Sequence, residues 1–419
     1  MRIGSSRCIL RCQVSGSENL ESILFLGYVP PVNYMQPVGS RPEEQCMYPL
    51  ELLYCPDSHL VQIGCEVDPE ILFPPEYPYT SGTTRILREN FADLYEVCRD
   101  RLGLEEGSLV VDIGSNDGTL LHNFLPGGYQ VLGIEPTHRG ALAEAKGVRT
   151  VNRFFSSRTA TEVAREFGQA ALVTAANVFA HIQKIDQVVD GILELMDEDG
   201  VFVSESHYLL DLIHTLQFDT VYHEHLRYYS LHSLQALLEK HGLEVFDVQR
   251  IPTHGGSIRV FASRKGKRCV SASVSALLAE EEAAGLLCFD TYREFGRRVM
   301  QFKLDLMNIV REVKQEGKRI YGIGAPSRAS TLITYTGLDH DAVTSVMEVA
   351  GSHKIGRYMP GTRIPVEEET RLFEDQPEYA LLFSWHIADE LMPKLIEKGF
   401  KGDFIVPLPD PRVLSIRKS

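Results

Sequence analysis

The sequence predicts an α/β protein with two Rossmann-like units behind a small, loop-rich N-terminal module. Three observations carry this reading. From residue 109, buried strand candidates alternate with amphipathic helical stretches, the pattern of a parallel sheet covered by helices. From residue 319, a second strand–loop–helix unit begins and further strand candidates follow it. Cys8, Cys12, Cys46, Cys55 and Cys65 crowd the first 65 residues, where Gly, Pro and short apolar runs replace regular periodicity. The expected domains are 1–72, 73–265 and 266–419, a division that suits a chain of 419 residues.

Taken in order, residues 1–72 hold short apolar runs such as "SILFLGYVP". In a reducing compartment their cysteines point to a metal site or its relic more than to disulfides. "PPEYPYTSG" reads as a loop, and "RILRENFADLYEVCRDRL" places apolar residues at helical spacing. "SLVVDIG", "QVLGIEP", "ALVTAANVF" and "GVFVSES" are strands, with "RTATEVAREFG" and "IDQVVDGILELMDED" as helices between them. "SLQALLEKHGLEVFDVQRIPTHGGSIRVFASRK" adds a helix and two strands. A long helical pattern, "FDTYREFGRRVMQFKLDLMNIVREVKQEG", leads into "RIYGIGAPSRASTLITY", which opens the second unit. Its later strands are "AVTSVMEV", "YALLFSW" and "DFIVPLP".

Composition narrows the function. Hydrophobic content of 44% and charged content of 24% are those of a globular protein with real cores. A net charge of −15 argues against nucleic-acid backbone and anionic lipid as partners. No run approaches the ~18 to 20 apolar residues of a membrane span. The N-terminus "MRIGSSRCILRCQVSGSENL" lacks an apolar core of signal-peptide length, so the expected location is the cytoplasm. A monomer or homodimer is expected.

Two glycine loops stand out. "VVDIGSNDGTLL" ends a strand in Asp112 and turns through Gly114 and Gly118. Glu135 ends the next strand, where a carboxylate accepts both hydroxyls of a ribose. The acidic Asp117 suits a cationic adenosyl cofactor better than a pyrophosphate; the alternative is a tight turn of any α/β fold. In "YGIGAPSRAS", Gly322 and Gly324 follow a strand, and Ser327, Arg328, Ser330 and Thr331 begin a helix. Backbone amides and an Arg there make an anion site, or the loop is a structural turn. Lys354, Arg357 and Tyr358, in a Gly-flanked loop, are candidates to meet a diphosphate. The block "VYHEHLRYYS" reads as a metal site, an acid–base site or a polar patch.

These motifs together resemble the three-domain, S-adenosylmethionine-dependent sugar C-methyltransferases that act on nucleotide-linked 4-keto-deoxysugars in antibiotic pathways. The matching stretches are "VVDIGSNDGTLL", "ANVFAHI", "QFDTVYHEHLRYYSLHSLQALLEKHGLEVFDVQRIPTHGGSIRVF", "YGIGAPSRASTL", "KIGRYMPGTRIP", "WHIADE" and "GFKGDFIVPLPDPRV", in the family's order and over most of the chain from residue 73 on. The resemblance implies a zinc-binding N-terminal module, a central methyltransferase domain and a C-terminal Rossmann-like domain that helps hold a nucleotide sugar. The family's zinc comes from two C-x-x-C pairs. Here Ser15 and Ser58 stand where the second cysteine of each pair belongs, after Cys12 and Cys55. Cys8, Cys12, Cys55 and His59 are the set that would still give a tetrahedral site for one structural zinc.

Methylating carbon 3 of a 4-keto sugar requires a base for the α proton and hydrogen-bond donors for the enolate oxygen. The resemblance assigns the base to His225, with Tyr222 and His181 near the keto oxygen, Glu224 supporting the base and Tyr79 closing the pocket. It gives the cofactor Asp112, Gly114, Ser115, Asn116, Asp117, Gly118, Glu135 and Asn177. His254, Gly324, Ser327, Arg328, Lys354, Arg357 and Tyr358 are then the candidate contacts of the nucleotide sugar. His223, Tyr228, Tyr229 and Trp385 are expected to be structural. Two other readings are methyl transfer to a different enolisable or hydroxyl-bearing small molecule, and nucleotide binding without chemistry.

Overall fold

The structure is a computed structural model and describes residues 6–77 and 79–415. Its central sheet has seven strands in the order Leu243–Ile251, Ser257–Arg264, Met196–His207, Ala170–Ala176, Leu109–Ile113, Gln130–Ile134, Arg149–Val151. All run parallel except Ser257–Arg264, which is antiparallel to both neighbours. The five residues of Leu109–Ile113 are all buried, as both faces of a parallel sheet require. Helices Arg85–Leu102, Ser157–Phe167 and Ile185–Leu195 supply cover. The Ser156 hydroxyl accepts from Thr159 N and starts the second of them. Gly103, at φ +66°, ends the first. The first strand lies mid-sheet, between Gln130–Ile134 and Ala170–Ala176. The chain therefore winds one way and then the other, and the crevice at the carboxyl ends of these strands is the place for a ligand.

A second switch point lies in the C-terminal unit. Its six strands run Val366–Glu368, Val346–Glu348, Ile320–Ile323, Tyr379–Leu382, Asp403–Val406, Arg412–Leu414, parallel except for the last. The helix Ser327–Thr336 begins directly after Ile320–Ile323. Gly324 turns the chain there at φ +79°; a Cβ would lie 2.2 Å from Ser384 Oγ. The 27-residue helix Phe289–Gln315 leads into this unit.

The N-terminal module carries more sheet than its texture suggested. Strands Glu21–Val29, Tyr48–Cys55 and Leu60–Ile63 form an antiparallel sheet, and Arg227–Tyr228 joins its edge from the Tyr, His and Glu block. Register shifts between Ser22 and Leu24, and between Phe25 and Tyr28, break the two-residue alternation that marks a strand in sequence. One continuous core runs through all three units. Among the described residues no helix is long and apolar enough to cross a membrane.

Candidate active site

A cavity of about 590 Å³ opens at the carboxyl ends of the central strands and extends to the start of the helix Ser327–Thr336. In its first half Gly114, Asn116, Glu135 and Asn177 line the wall with Pro136, Thr137 and Phe155. Gly114 sits at φ +70°, and a Cβ there would meet Val178 at 2.5 Å. Glu135 Oε2 accepts from Asn116 N at 3.0 Å and Oε1 from Thr137 N at 2.9 Å. The Thr137 hydroxyl also donates to Oε1, at 2.5 Å, so Oε2 keeps the open acceptor site of this carboxylate, against which a ribose hydroxyl fits. Asn177 sits at φ +59°, and both polar atoms of its buried carboxamide lack a partner in the protein. An orphaned amide on a cavity wall fits a polar ligand that satisfies it. This half therefore fits an adenosyl cofactor.

Four residues of the expected cofactor set do not line the cavity. Asp112 is buried behind it and accepts from Thr174 Oγ1 at 2.7 Å; burial pushes its carboxyl up to about 7. Ser115 is buried beside Gly133. Asp117 pairs with Lys146 Nζ at 2.8 Å, so its charge is matched inside the protein rather than offered to a cationic ligand. Gly118, at φ +71°, starts the short helix Thr119–His122. These residues shape the loop that carries Gly114 and Asn116.

The second half gathers histidines. Centred on His225, the ring of Tyr222 lies at 4.1 Å, His181 at 4.8 Å and His207 at 5.1 Å, with His254 a further 5.3 Å from His207. His225 Nδ1 is 2.8 Å from the Thr220 carbonyl. A carbonyl only accepts, so Nδ1 carries the proton and Nε2 bears the lone pair. Burial pushes this imidazole down to about 4 against the pull of the Thr220 carbonyl, and His254 and Arg328 add to the depression. It is therefore neutral at pH 7. Burial likewise holds His181 and His207 well below the ordinary range. His254 lines the cavity with a buried Nε2 that has no partner in the protein. Tyr79 lines the mouth and is 42% exposed, and its carbonyl accepts from Asn116 Nδ2 at 3.3 Å.

Glu224 does not support His225, contrary to expectation. Its Oε1 accepts from Asn33 Nδ2 at 2.7 Å and its Oε2 from the Tyr77 hydroxyl at 2.9 Å. The Thr220 carbonyl orients the imidazole instead. Burial raises the Glu224 carboxyl to about 7, opposed by Tyr77, Asn33 and the charge of Lys354.

Ser327, Arg328 and Lys354 line the far wall. The Arg328 guanidinium is clamped by Asp219 through Nε and Nη2, both at 2.8 Å, and Trp385 Nε1 donates to the same carboxylate at 2.7 Å. Lys354 Nζ donates to Ala325 O at 2.6 Å. Gly324, Arg357 and Tyr358 do not line the cavity. Gly324 makes the turn described above. Arg357 Nη1 donates to Met35 O at 3.1 Å, and the Tyr358 hydroxyl accepts from Gly39 N at 3.1 Å, so both hold the N-terminal module rather than a diphosphate. His223 Nε2 donates to Pro49 O at 3.1 Å, and Tyr228, Tyr229 and Trp385 are buried. His386, offered by "WHIADE", also lines the cavity, whereas His207, Asn33, Tyr77 and Thr220 were missed in the sequence. His207 alone had a readable signal: it ends a strand at the edge where ligands bind.

The expected metal set is not assembled. Cys8 is exposed on the strand Ser6–Cys8, opposite Cys65. His59 Nδ1 is hydrogen-bonded to the Tyr54 hydroxyl at 2.9 Å. Cys12 Sγ lies 3.0 Å from Ser58 Oγ, and Cys55 Sγ 3.5 Å from Ser15 Oγ. Burial pushes the Cys12 thiol up, but hydrogen bonds from Ser15, Ser58 and the backbone outweigh it and hold the thiol below its ordinary value. Among the described residues no group of three or more His, Cys, Asp or Glu is placed to hold a metal. Two neutral hydroxyls in place of thiolates do not fit the donor set of structural zinc.

Three family models match the chain in order: a domain described as zinc-binding at residues 12–73, a methyltransferase domain at 84–248 and a C-methyltransferase C-terminal domain at 252–409. The C-methyltransferase NovU of Streptomyces niveus is 34% identical over 414 residues, 98% of each chain. Among solved structures, the PH0226 protein of Pyrococcus horikoshii OT3 covers 47% of this chain and 98% of its own, at 13% identity and a TM-score of 0.36. An S-adenosylmethionine-dependent methyltransferase of Clostridium acetobutylicum covers 43% and 92%, at 12% identity and 0.34.

Proposed function

Because the chain belongs to the family of S-adenosylmethionine-dependent C-methyltransferases, we propose that it methylates carbon 3 of a nucleotide-linked 4-keto-deoxysugar. The observation that carries this reading is the lone-pair Nε2 of His225, whose Nδ1 is held by the Thr220 carbonyl, on a residue lining the same cavity as Glu135 and Lys354. His225 takes the proton α to the ketone and becomes an imidazolium. The Tyr222 hydroxyl and an N–H of the neutral His181 donate to the enolate oxygen. An imidazole held near 4 is by itself a weak base, but the negative charge developing on the enolate stabilises its cation.

Glu135, Asn116 and Asn177 hold S-adenosylmethionine, which supplies an electrophilic methyl group when bound. The electron pair of the broken carbon–hydrogen bond would form the bond to that methyl group as its bond to sulfur breaks, the sulfur keeping the pair. Glu224 accepts a sugar hydroxyl. Lys354 and the amides that start the helix Ser327–Thr336 meet the diphosphate.

The test is incubation with S-adenosylmethionine and a panel of nucleotide-linked 4-keto sugars, read by nuclear magnetic resonance. One new methyl on carbon 3 with stoichiometric S-adenosylhomocysteine is expected. Methylation only on oxygen, or no sugar methylated, overturns the reading.

A further inference from the structure

The segment 30–40 leaves the N-terminal sheet after Val29 and lies against the C-terminal unit. Val38 N donates to Gly356 O at 2.8 Å and Tyr358 N to Gln36 O at 2.8 Å. Arg363 Nη1 donates to Ser40 O at 2.8 Å. These bonds, with that of Arg357 to Met35, anchor the segment on the loop whose Lys354 lines the cavity. At the start of the segment sits the half-buried Asn33. Its Nδ2 donates to Glu224 Oε1 at 2.7 Å, and its Oδ1 lies 3.5 Å from Ser327 Oγ. One side chain of the N-terminal module thus meets a cavity residue from each of the other two units.

We infer that Asn33 is a positioning residue, through which the N-terminal module fixes the orientation and proton affinity of Glu224. An amide nitrogen only donates, so its bond favours the ionised carboxylate. With Tyr77 on the other oxygen, both carboxylate oxygens are held and the group cannot swing. Burial keeps this carboxyl near 7 even with both donors present, so loss of one tips it towards the protonated form at neutral pH. This gives the module a task in the site that does not depend on zinc. The inference rests on the proposed function only for what Glu224 does to substrate; its titration is independent of that.

Infrared difference titration of the full-length protein reads buried protonated carboxyls directly. Glu224→Gln identifies the band of Glu224 and separates it from that of Asp112, which titrates in the same range. Asn33→Leu is expected to raise the proton affinity of the Glu224 carboxyl about tenfold or more, the worth of one hydrogen bond to a charged group. Asn33→Asp keeps the side-chain size and is expected to raise it further, because a like charge replaces a donor. If Asn33→Leu does not fold, Asn33→Asp carries the test, and Tyr77→Phe is expected to move the band the same way. An unmoved band in the Asn33 variants overturns the inference. The pH profile of methyl transfer to a thymidine-diphosphate-linked 4-keto-deoxysugar adds a second reading: its acid limb is expected to move to higher pH in Asn33→Leu. A moved band together with unimpaired transfer by Glu224→Gln upholds the positioning and overturns the role given to Glu224.

Discussion

The Glu135 carboxylate ends the second strand after a glycine turn and reaches the cavity with open acceptor capacity on Oε2. Glu135→Gln removes the charged acceptor of the ribose hydroxyls and is expected to weaken S-adenosylmethionine binding by about 1.5 to 3 kcal/mol. Titration calorimetry giving wild-type affinity would take Glu135 out of the site. The position of this residue was legible because an acidic group at that strand end is a motif with a mechanism. The cluster of Tyr222, Glu224 and His225 was equally visible, but the partners of these residues were not. The carbonyl of Thr220 carries no side-chain signal, and Asn33 lies 191 residues from Glu224. Adjacency in sequence suggested that Glu224 supports His225, whereas the turn directs the two side chains to different partners.

At the scale of elements, periodicity sufficed where both faces of a parallel sheet are buried. The helix expected from "RILRENFADLYEVCRDRL" is Arg85–Leu102, and "SLVVDIG" holds the strand Leu109–Ile113. Periodicity failed where bulges break the alternation of Glu21–Val29 and where Arg227–Tyr228 offers only two residues. In the N-terminal module the thiol of Cys12 meets the Ser58 hydroxyl and that of Cys55 the Ser15 hydroxyl. Purified protein is therefore expected to contain close to no zinc and to melt at the same temperature with or without a chelator. The double variant S15C/S58C restores four thiols in this place and is expected to take up about one zinc per chain. Elemental analysis finding about one zinc in the wild-type protein contradicts the account of this element.

On the scale of the whole molecule, the cavity is built by three units, and their docking was not legible. It depends on backbone bonds between segment 34–40 and the loop after Lys354, which leave no pattern in side chains. The same docking buries histidines around the cavity. Burial lowers His223, His225 and His254 to about 4 and His386 to about 3, with His181 and His207 also well depressed. A depressed folded-state value gives stability that is present above the ordinary histidine range and lost as pH falls towards the folded value. Asp112 and Glu224, raised to about 7, act in the opposite sense, since their contribution is present at low pH and lost as pH rises through 7. Burial also raises Glu205 and Asp211, but the six histidines outnumber these four carboxyls, so the melting temperature is expected to fall between about pH 6.5 and pH 4. Calorimetric scans across that window check this, and a flat profile would contradict it.

The central claim is that His225 removes the proton next to the ketone. It is tested most directly by exchange of the carbon 3 proton of a thymidine-diphosphate-linked 4-keto-deoxysugar in deuterated water, with S-adenosylhomocysteine bound so that no methyl can transfer. The wild-type protein is expected to exchange this proton. His225→Asn is expected to lower the rate by ~10² to 10⁴, the usual contribution of a positioned base, while binding S-adenosylhomocysteine almost unchanged. Tyr222→Phe is expected to keep part of the exchange, because the base survives and one donor to the oxyanion is lost. Exchange at the wild-type rate in His225→Asn would contradict the account and move the base to another residue, with Glu224 the first candidate.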